Sequence, residues 1–397
     1  MARSGRRALC LLTSILLIAL GGVLTLTLFD KTSKWRFAGS DGGNESEKAK
    51  QVALVSELQA LAQLANRTVE EFAMEVLAQQ DRIRSTFCAN GSTAAETPLE
   101  FCEEACTASE QPRVLMVFPI RDRWELLRSL LRKLLPLLNR PTVCTFIAIV
   151  EQTDALAFNK GLLMNAAAME MSKRVPFDCI IFHDADLVPV DGDEVYYECP
   201  SYPRHLTVKV DKFRYRKVVI IITFTKVLTS TPILIYSHLD KCLQLFALIG
   251  DLPYLNLIGG ILALPLQHFL RVNGFSNMFW GWGAEDDDMF ERLSFLGIPI
   301  TRPMVNPTRY TMLPHRSSER LDAWRTIVLL KMALRRYRLD GLNSAQYRTI
   351  RTNLTTTCDV IGENRSECRF GKKYIMHLLI DPQPITAPNV NIFYNKH

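Results

Sequence analysis

Cys179-Ile180-Ile181-Phe182-His183-Asp184-Ala185-Asp186 runs four apolar residues straight into a pair of carboxylates. A short, uninterrupted apolar run is the pattern of a strand buried on both faces, as in a parallel sheet. The two aspartates stand two residues apart where that strand ends. Their oxygens can converge on one hard cation, or divide between a metal and a hydroxyl group; the plain alternative is a capping or solvated turn.

Working outward, Val114-Leu115-Met116-Val117-Phe118 reads as another buried strand, stopped by Pro119. Residues 124–138 read as a helix, 144–150 as a strand and 160–171 as a helix. Strands alternating with helices predict an α/β fold with a mostly parallel twisted sheet covered on both faces, its ligands bound beyond the carboxyl ends of the strands.

A second stretch carries chemistry. Phe279-Trp280-Gly281-Trp282-Gly283-Ala284-Glu285-Asp286-Asp287-Asp288 places four acids behind two tryptophans spaced by glycine. Four adjacent carboxylates repel one another and gain nothing from a core, whereas two aromatics with thin glycines between them form a flat surface on which sugars stack. The reading is a sugar platform beside a general base; the alternative is a solvated acidic turn next to two core tryptophans.

The chain has 397 residues, 48% of them hydrophobic, enough for one large core or two smaller ones. Its net charge of +6 is dispersed and does not suggest nucleic acid. Residues 1–7 carry three arginines ahead of an uncharged apolar run over 8–29, long enough to span a bilayer. An uncleaved anchor is expected, with 1–7 cytoplasmic and all that follows lumenal. Residues 30–111 are expected to form a lumenal stem with one amphipathic helix over 56–80, and 112–397 the catalytic domain. Sequons at Asn44, Asn66, Asn90, Asn353 and Asn364 and ten cysteines, with no zinc-like spacing, agree with an oxidising, glycosylating compartment.

Several separate blocks together resemble the β-1,4-galactosyltransferase family. These are Phe118-Pro119-Ile120-Arg121-Asp122-Arg123, Phe158-Asn159-Lys160-Gly161-Leu162-Leu163-Met164-Asn165, His183-Asp184-Ala185-Asp186-Leu187-Val188-Pro189, Gly259-Gly260, the acidic block at 279–288 and Met312-Leu313-Pro314-His315. The resemblance implies a nucleotide-sugar glycosyltransferase of the GT-A type in the Golgi membrane, single-pass and type II. Asp186, Met312 and His315 match manganese ligands, Mn2+ being the implied cofactor. Asp286 matches the general base of an inverting displacement. Pro119, Arg121, Arg123, Phe158, Asp184, Leu257, Gly259, Gly260 and Trp282 match donor-binding positions for a UDP-sugar. Tyr254, Trp282, Gly283, Glu285, Asp286 and Asp287 match positions that bind the acceptor, a terminal N-acetylglucosamine on a glycoprotein or glycolipid. Cys179 and Cys199 match a family disulfide.

Departures are informative. Family members that use galactose carry a tyrosine two positions before the glycine pair. Here Leu257 leaves room for an acetamido group, which leans the donor towards UDP-N-acetylgalactosamine. Residues 214–251 intervene between two blocks that stand close together in the family, and their β-prone apolar character reads as translated non-coding sequence, such as a retained intron, against a genuine extra hairpin. Residues 321–339 show helical spacing where the family has a long mobile loop, and Ala284 replaces the usual glycine before the acids. Three other classes stay open: a catalytically impaired lumenal sugar-binding protein on the same scaffold, a membrane-anchored adhesion protein and a metal-dependent hydrolase.

Overall fold

The computed structural model describes residues 45–87, 111–138, 143–153, 156–213, 252–303, 306–315, 322–362 and 373–385. The expected anchor at 8–29, the intervening stretch at 214–251 and the sequons at Asn44, Asn90 and Asn364 lie outside the described residues. No helix among the described residues is long and apolar enough to cross a membrane. The chain divides into two compact units, 1–58 and 59–397. The described part of the first is the opening of helix α1 (Glu45–Leu64).

The remainder of α1 begins the second unit, and helix α2 (Val69–Thr86) follows it. The single helix expected over 56–80 is thus two. Thr68 starts the second with a capping box: its side chain accepts from the Glu71 backbone N–H while the Glu71 carboxylate accepts from the Thr68 N–H. Phe72 and Val76 of α2 enter the hydrophobic core, and Gln80 donates to the carbonyls of Ser172 and Val175 at 2.9 and 3.1 Å.

Strands β1 (Arg113–Ile120), β2 (Cys144–Gln152) and β3 (Cys179–His183) alternate with helices α3 (Trp124–Leu138) and α4 (Lys160–Ser172), as the sequence pattern predicts. The chain continues through β4 (Leu187–Pro189), β5 (Arg204–His205), β6 (Lys209–Val210), β7 (Ile261–Pro265), α5 (Leu266–Arg271), α6 (Glu285–Phe295), β8 (Arg309–Met312), α7 (Ala323–Lys331), α8 (Ala333–Arg336), β9 (Tyr347–Thr356), α9 (Thr357–Ile361) and β10 (Tyr374–Pro382).

Seven strands form one sheet in the order β5-β7-β3-β1-β2-β10-β9, and β4-β8-β6 form a small second sheet. The central four strands are parallel, but β7, β5 and β9 join antiparallel. The sheet is therefore mixed, a correction to the mostly parallel expectation. Periodicity reports which strands are buried, not which way the outer ones run. Nor does Pro119 stop β1: beyond Val117, among the described residues, only β2 pairs with it, and a strand with one neighbour tolerates proline.

Alternation along the strands divides the core. Leu115, Val117, Phe146, Ala148 and Phe182 face α4, α5 and α2; Val114, Met116, Phe118, Ile147 and Ile181 face the leucines of α3. With both faces covered, functional groups are left the rim where β1, β2 and β3 end.

Candidate active site

At that rim the chain turns sharply after each strand. Beyond β1, Asp122 adopts φ 53°, and Arg121 donates to the Leu156 carbonyl at 2.6 Å with its guanidinium 5.4 Å over the Phe158 ring. Arg123 opens the turn of α3, where its carbonyl accepts from Leu127. Beyond β2, Gln152 donates to Leu156 and Ala157 carbonyls and accepts from the Asn159 N–H. Asn159 then caps α4 by accepting from Leu162 at 2.9 Å. Pro119, Arg121, Arg123 and Phe158 are thereby gathered along the ends of two adjacent strands.

Beyond β3, the Asp184 N–H donates to the Gly260 carbonyl at 3.0 Å. Asp186 leads into β4, which pairs with β8 so that Leu187 lies opposite Met312. The Leu313 N–H donates to the Asp186 carbonyl at 2.7 Å, and His315 Nε2 lies 2.8 Å from Asp186 Oδ2. Burial and the nearby Asp184 charge push the Asp186 carboxyl up from its ordinary value, against His315, which draws it down. Among the described residues there is no cluster of three or more His, Cys, Asp or Glu side chains; the expected set has two such ligands and a thioether. Cys179 and Cys199 are disulfide-bonded with Cα atoms 5.5 Å apart, tying the start of β3 to the segment after β4. Cys144 and Cys358 each belong to a disulfide as well.

The four acids form the first turn of α6, where the helix dipole offsets part of their repulsion. They are not one solvated face. Asp288 is fully buried; Glu285 is 8% exposed, and Asp286 and Asp287 keep part of their surface open. Burial, followed by the Glu285 and Asp287 charges, pushes Asp286 up to about 7. That suits a base that must accept a proton near neutrality.

The tryptophans separate too. Trp280 is buried at 3% while Trp282 is 57% exposed, so the expected double platform reduces to Trp282 alone. The cause is the backbone: Gly281 and Gly283 have φ 96° and 102°, which turns successive side chains to different sides. Gly281 donates to the Phe158 carbonyl at 2.7 Å, joining this turn to the end of β2. Tyr254 donates to Asp287 at 2.9 Å across the mouth of the site.

Gly259 and Gly260 are required by space. A Cβ on Gly259 would lie 2.3 Å from Asp286 Oδ2, and one on Gly260, at φ 94°, would strike Thr207 and Leu187. Thr207 and His205 both approach the Gly259 carbonyl, at 2.7 and 3.0 Å. Arg302 donates to His205 Nδ1 and to the carbonyls of Leu255 and Leu257. The loop carrying Leu257 is thus held from behind by three side chains that the sequence reading passed over.

Lys160 was also missed, although it stands inside the Phe158-Asn159-Lys160 block. Its ammonium lies 2.6 Å from Asp184 and 3.3 Å from Glu285, and these carboxylates hold it well above the ordinary lysine range against the opposing effect of burial. It therefore bridges Asp184, beyond β3, and the acids of α6, and its charge draws Asp286 down. Lys160→Met is expected to move the acid limb of the pH–rate profile to higher pH by on the order of one unit. Activity would still rise as Asp286 ionises, but later; an unmoved limb would show that Lys160 does not act on Asp286.

Ala284 caps α6 at φ 76° without any side-chain cap bond. A left-handed alanine and a missing cap each cost about 1 kcal/mol. Ala284→Gly is expected to raise stability by about 0.5–1 kcal/mol after the extra entropy of an unfolded glycine, measured by urea unfolding.

The mixed α/β sheet thus brings paired carboxylates, a histidine and the acids of α6 to the ends of its strands. Residues 73–200 match the N-terminal region of glycosyl transferase group 7, and residues 245–316 match the family described as the N-terminal domain of galactosyltransferase. The chain belongs to the β-1,4-galactosyltransferase family, which bears out the resemblance. It is 32% identical over 253 residues to mouse β-1,4-galactosyltransferase 5, covering 61% of this chain and 56% of that protein. To human β-1,4-galactosyltransferase 6 it is 31% identical over 236 residues, covering 59% and 52%. The chain thus spans little more than half the length of these relatives. Among solved structures it is similar to a mutant of Drosophila β-1,4-galactosyltransferase 7 in complex with manganese, UDP-Gal and xylobiose, at 22% identity and a TM-score of 0.49, covering 68% of this chain and 94% of that one.

Proposed function

We propose that this chain is a manganese-dependent inverting glycosyltransferase. It forms a β-1,4 linkage from a UDP-galactose-type donor, with preference for UDP-N-acetylgalactosamine, to terminal N-acetylglucosamine on a glycoprotein or glycolipid. The observation that carries the reading is one series of contacts: His315 on Asp186, Lys160 on both Asp184 and Glu285, Asp184 on the Gly260 carbonyl, and Asp286 against Gly259.

Asp186, His315 and Met312 would hold the cation, and the donor set suits a borderline ion: a carboxylate destabilised by burial and by a second carboxylate gains most from a dication. Bound there, the ion would neutralise charge on the departing diphosphate. Asp286 accepts the proton of the acceptor hydroxyl as that oxygen bonds to the anomeric carbon. The bond from that carbon to the diphosphate breaks on the opposite face, and UDP leaves. Glu285 and Asp287 accept from sugar hydroxyls, the latter oriented by Tyr254. Trp282, exposed and flanked by glycines of positive φ, is suited to close over the donor and exclude water. Pro119, Arg121, Arg123 and Phe158 border the place for the uridine diphosphate. Leu257, whose carbonyl Arg302 holds, sets the room at the donor C2 substituent.

The disulfides at Cys144, Cys179, Cys199 and Cys358 support an oxidising lumenal compartment, which accords with a Golgi type II enzyme anchored at 8–29. The test is transfer from UDP-galactose and UDP-N-acetylgalactosamine to N-acetylglucosamine, with and without manganese. Transfer is expected to need the ion, to give a β-linked product and to be lost in His315→Ala. Sugar binding without turnover would overturn the reading. Faster transfer of galactose than of its N-acetylated analogue would overturn the donor preference alone.

A further inference from the structure

Away from this site, β9 forms the outer edge of the seven-stranded sheet, pairing among the described residues only with β10. Residues 348–353 are exposed in succession. A long open edge invites pairing with other chains. The register slips between Leu379 and Ile380 of β10, and Arg348 and Arg351 add charge, so one half of the edge is blunted. The other half, Thr352 to Thr355, has neither device. It contains the sequon Asn353-Leu354-Thr355.

Asn353 lies opposite His377 on β10, and beside this pair is a cleft of about 550 Å³ lined by Trp124, Arg128, Asp359 and Thr355 among others. Its aromatic wall is held rigidly. Trp124 donates to one oxygen of Glu151 at 2.7 Å, His377 Nε2 lies 2.9 Å from the other, and the two rings meet edge-on at 5.1 Å. A fixed indole with an arginine and an aspartate on the rim is the composition that holds a sugar ring by stacking and hydrogen bonds.

We propose that Asn353 carries an N-linked glycan whose first N-acetylglucosamine lies in this cleft against Trp124, covering the unblunted half of the sheet edge. The glycan comes from a lipid-linked oligosaccharide diphosphate acted on by the host's transferase during synthesis. The Asn353 amide nitrogen gives up one proton and bonds to the anomeric carbon, the bond from that carbon to phosphate breaks, and the lipid diphosphate leaves. Once the chain folds, Trp124 receives the first sugar.

The full chain expressed in mammalian cells provides the test. Glycosidase release in heavy-oxygen water is expected to leave a labelled aspartate at 353, and Thr355→Ala to abolish that label while Asn353 remains. Release from the native protein is expected to be roughly three- to tenfold slower than from denatured protein, the scale of an aromatic contact, and Trp124→Ala to remove the difference. An unmodified Asn353 overturns the proposal. So does a glycan released equally fast from native and denatured protein, or protection that persists in Trp124→Ala.

Discussion

Asp286→Asn is expected to lower the rate of sugar transfer by about 10²–10⁴-fold, the usual contribution of a positioned general base, and at the same time to make the protein more stable above neutral pH. Asp286 is pushed up to about 7 by burial and by its acidic neighbours. A carboxyl raised in the folded state favours folding at low pH, and that contribution is lost as pH rises from its ordinary range through 7. At pH 8 the native enzyme therefore carries a destabilising charge that the amide lacks, a difference of about 2–4 kcal/mol from a shift of roughly three pH units. Transfer assays and thermal melts at pH 5 and pH 8 check both halves. The stabilisation should appear at pH 8 and fade at pH 5. A variant that loses activity and stability together would instead mark Asp286 as a structural residue.

Arg336→Met is expected to destabilise the protein by about 3–5 kcal/mol, the loss seen when one member of a buried ion-pair network is removed. Arg336 is fully buried, bonded to Asp288 and Asp340, and donates to Ser276 at 2.6 Å. Arg292 completes the cluster, 2.6 Å from Asp288 and 3.3 Å from Asp340. Two arginines balance two aspartates, and deleting one cation leaves a buried charge without compensation. Burial lowers Arg336 to about 10, a sign of the desolvation that the aspartates offset. Because Asp288 lies two residues beyond Asp286, the same change should also lower kcat. Urea unfolding of Arg336→Met beside the exposed Arg338→Ala makes the comparison. Equal, small effects would mean that the network contributes nothing net.

This network explains a feature only half legible beforehand. Helical spacing over 321–339 predicts helices, and α7 and α8 are there. What the spacing hides is the inward direction of Arg325 and Arg336, both fully buried, because arginine is ordinarily a surface residue and periodicity scores it as one. The fourth acid misled in the same way. Asp288 sits four residues before Arg292 on α6, a helical pair spacing that was open to inspection, but in a run of four carboxylates it reads as solvated.

The strand and helix alternation of residues 113–183, the paired aspartates at the end of β3 and the family motifs are all carried by local order along the chain. They are legible because burial period, chain direction and ligand spacing are one-dimensional properties. Partnerships between distant segments are of another kind. That His315 reaches Asp186, that Lys160 lies between Asp184 and Glu285, and that the outer strands pair antiparallel with their neighbours depended on packing in three dimensions. Such contacts are selected by the free energy of the whole core and its buried charges, and no window of sequence contains both partners.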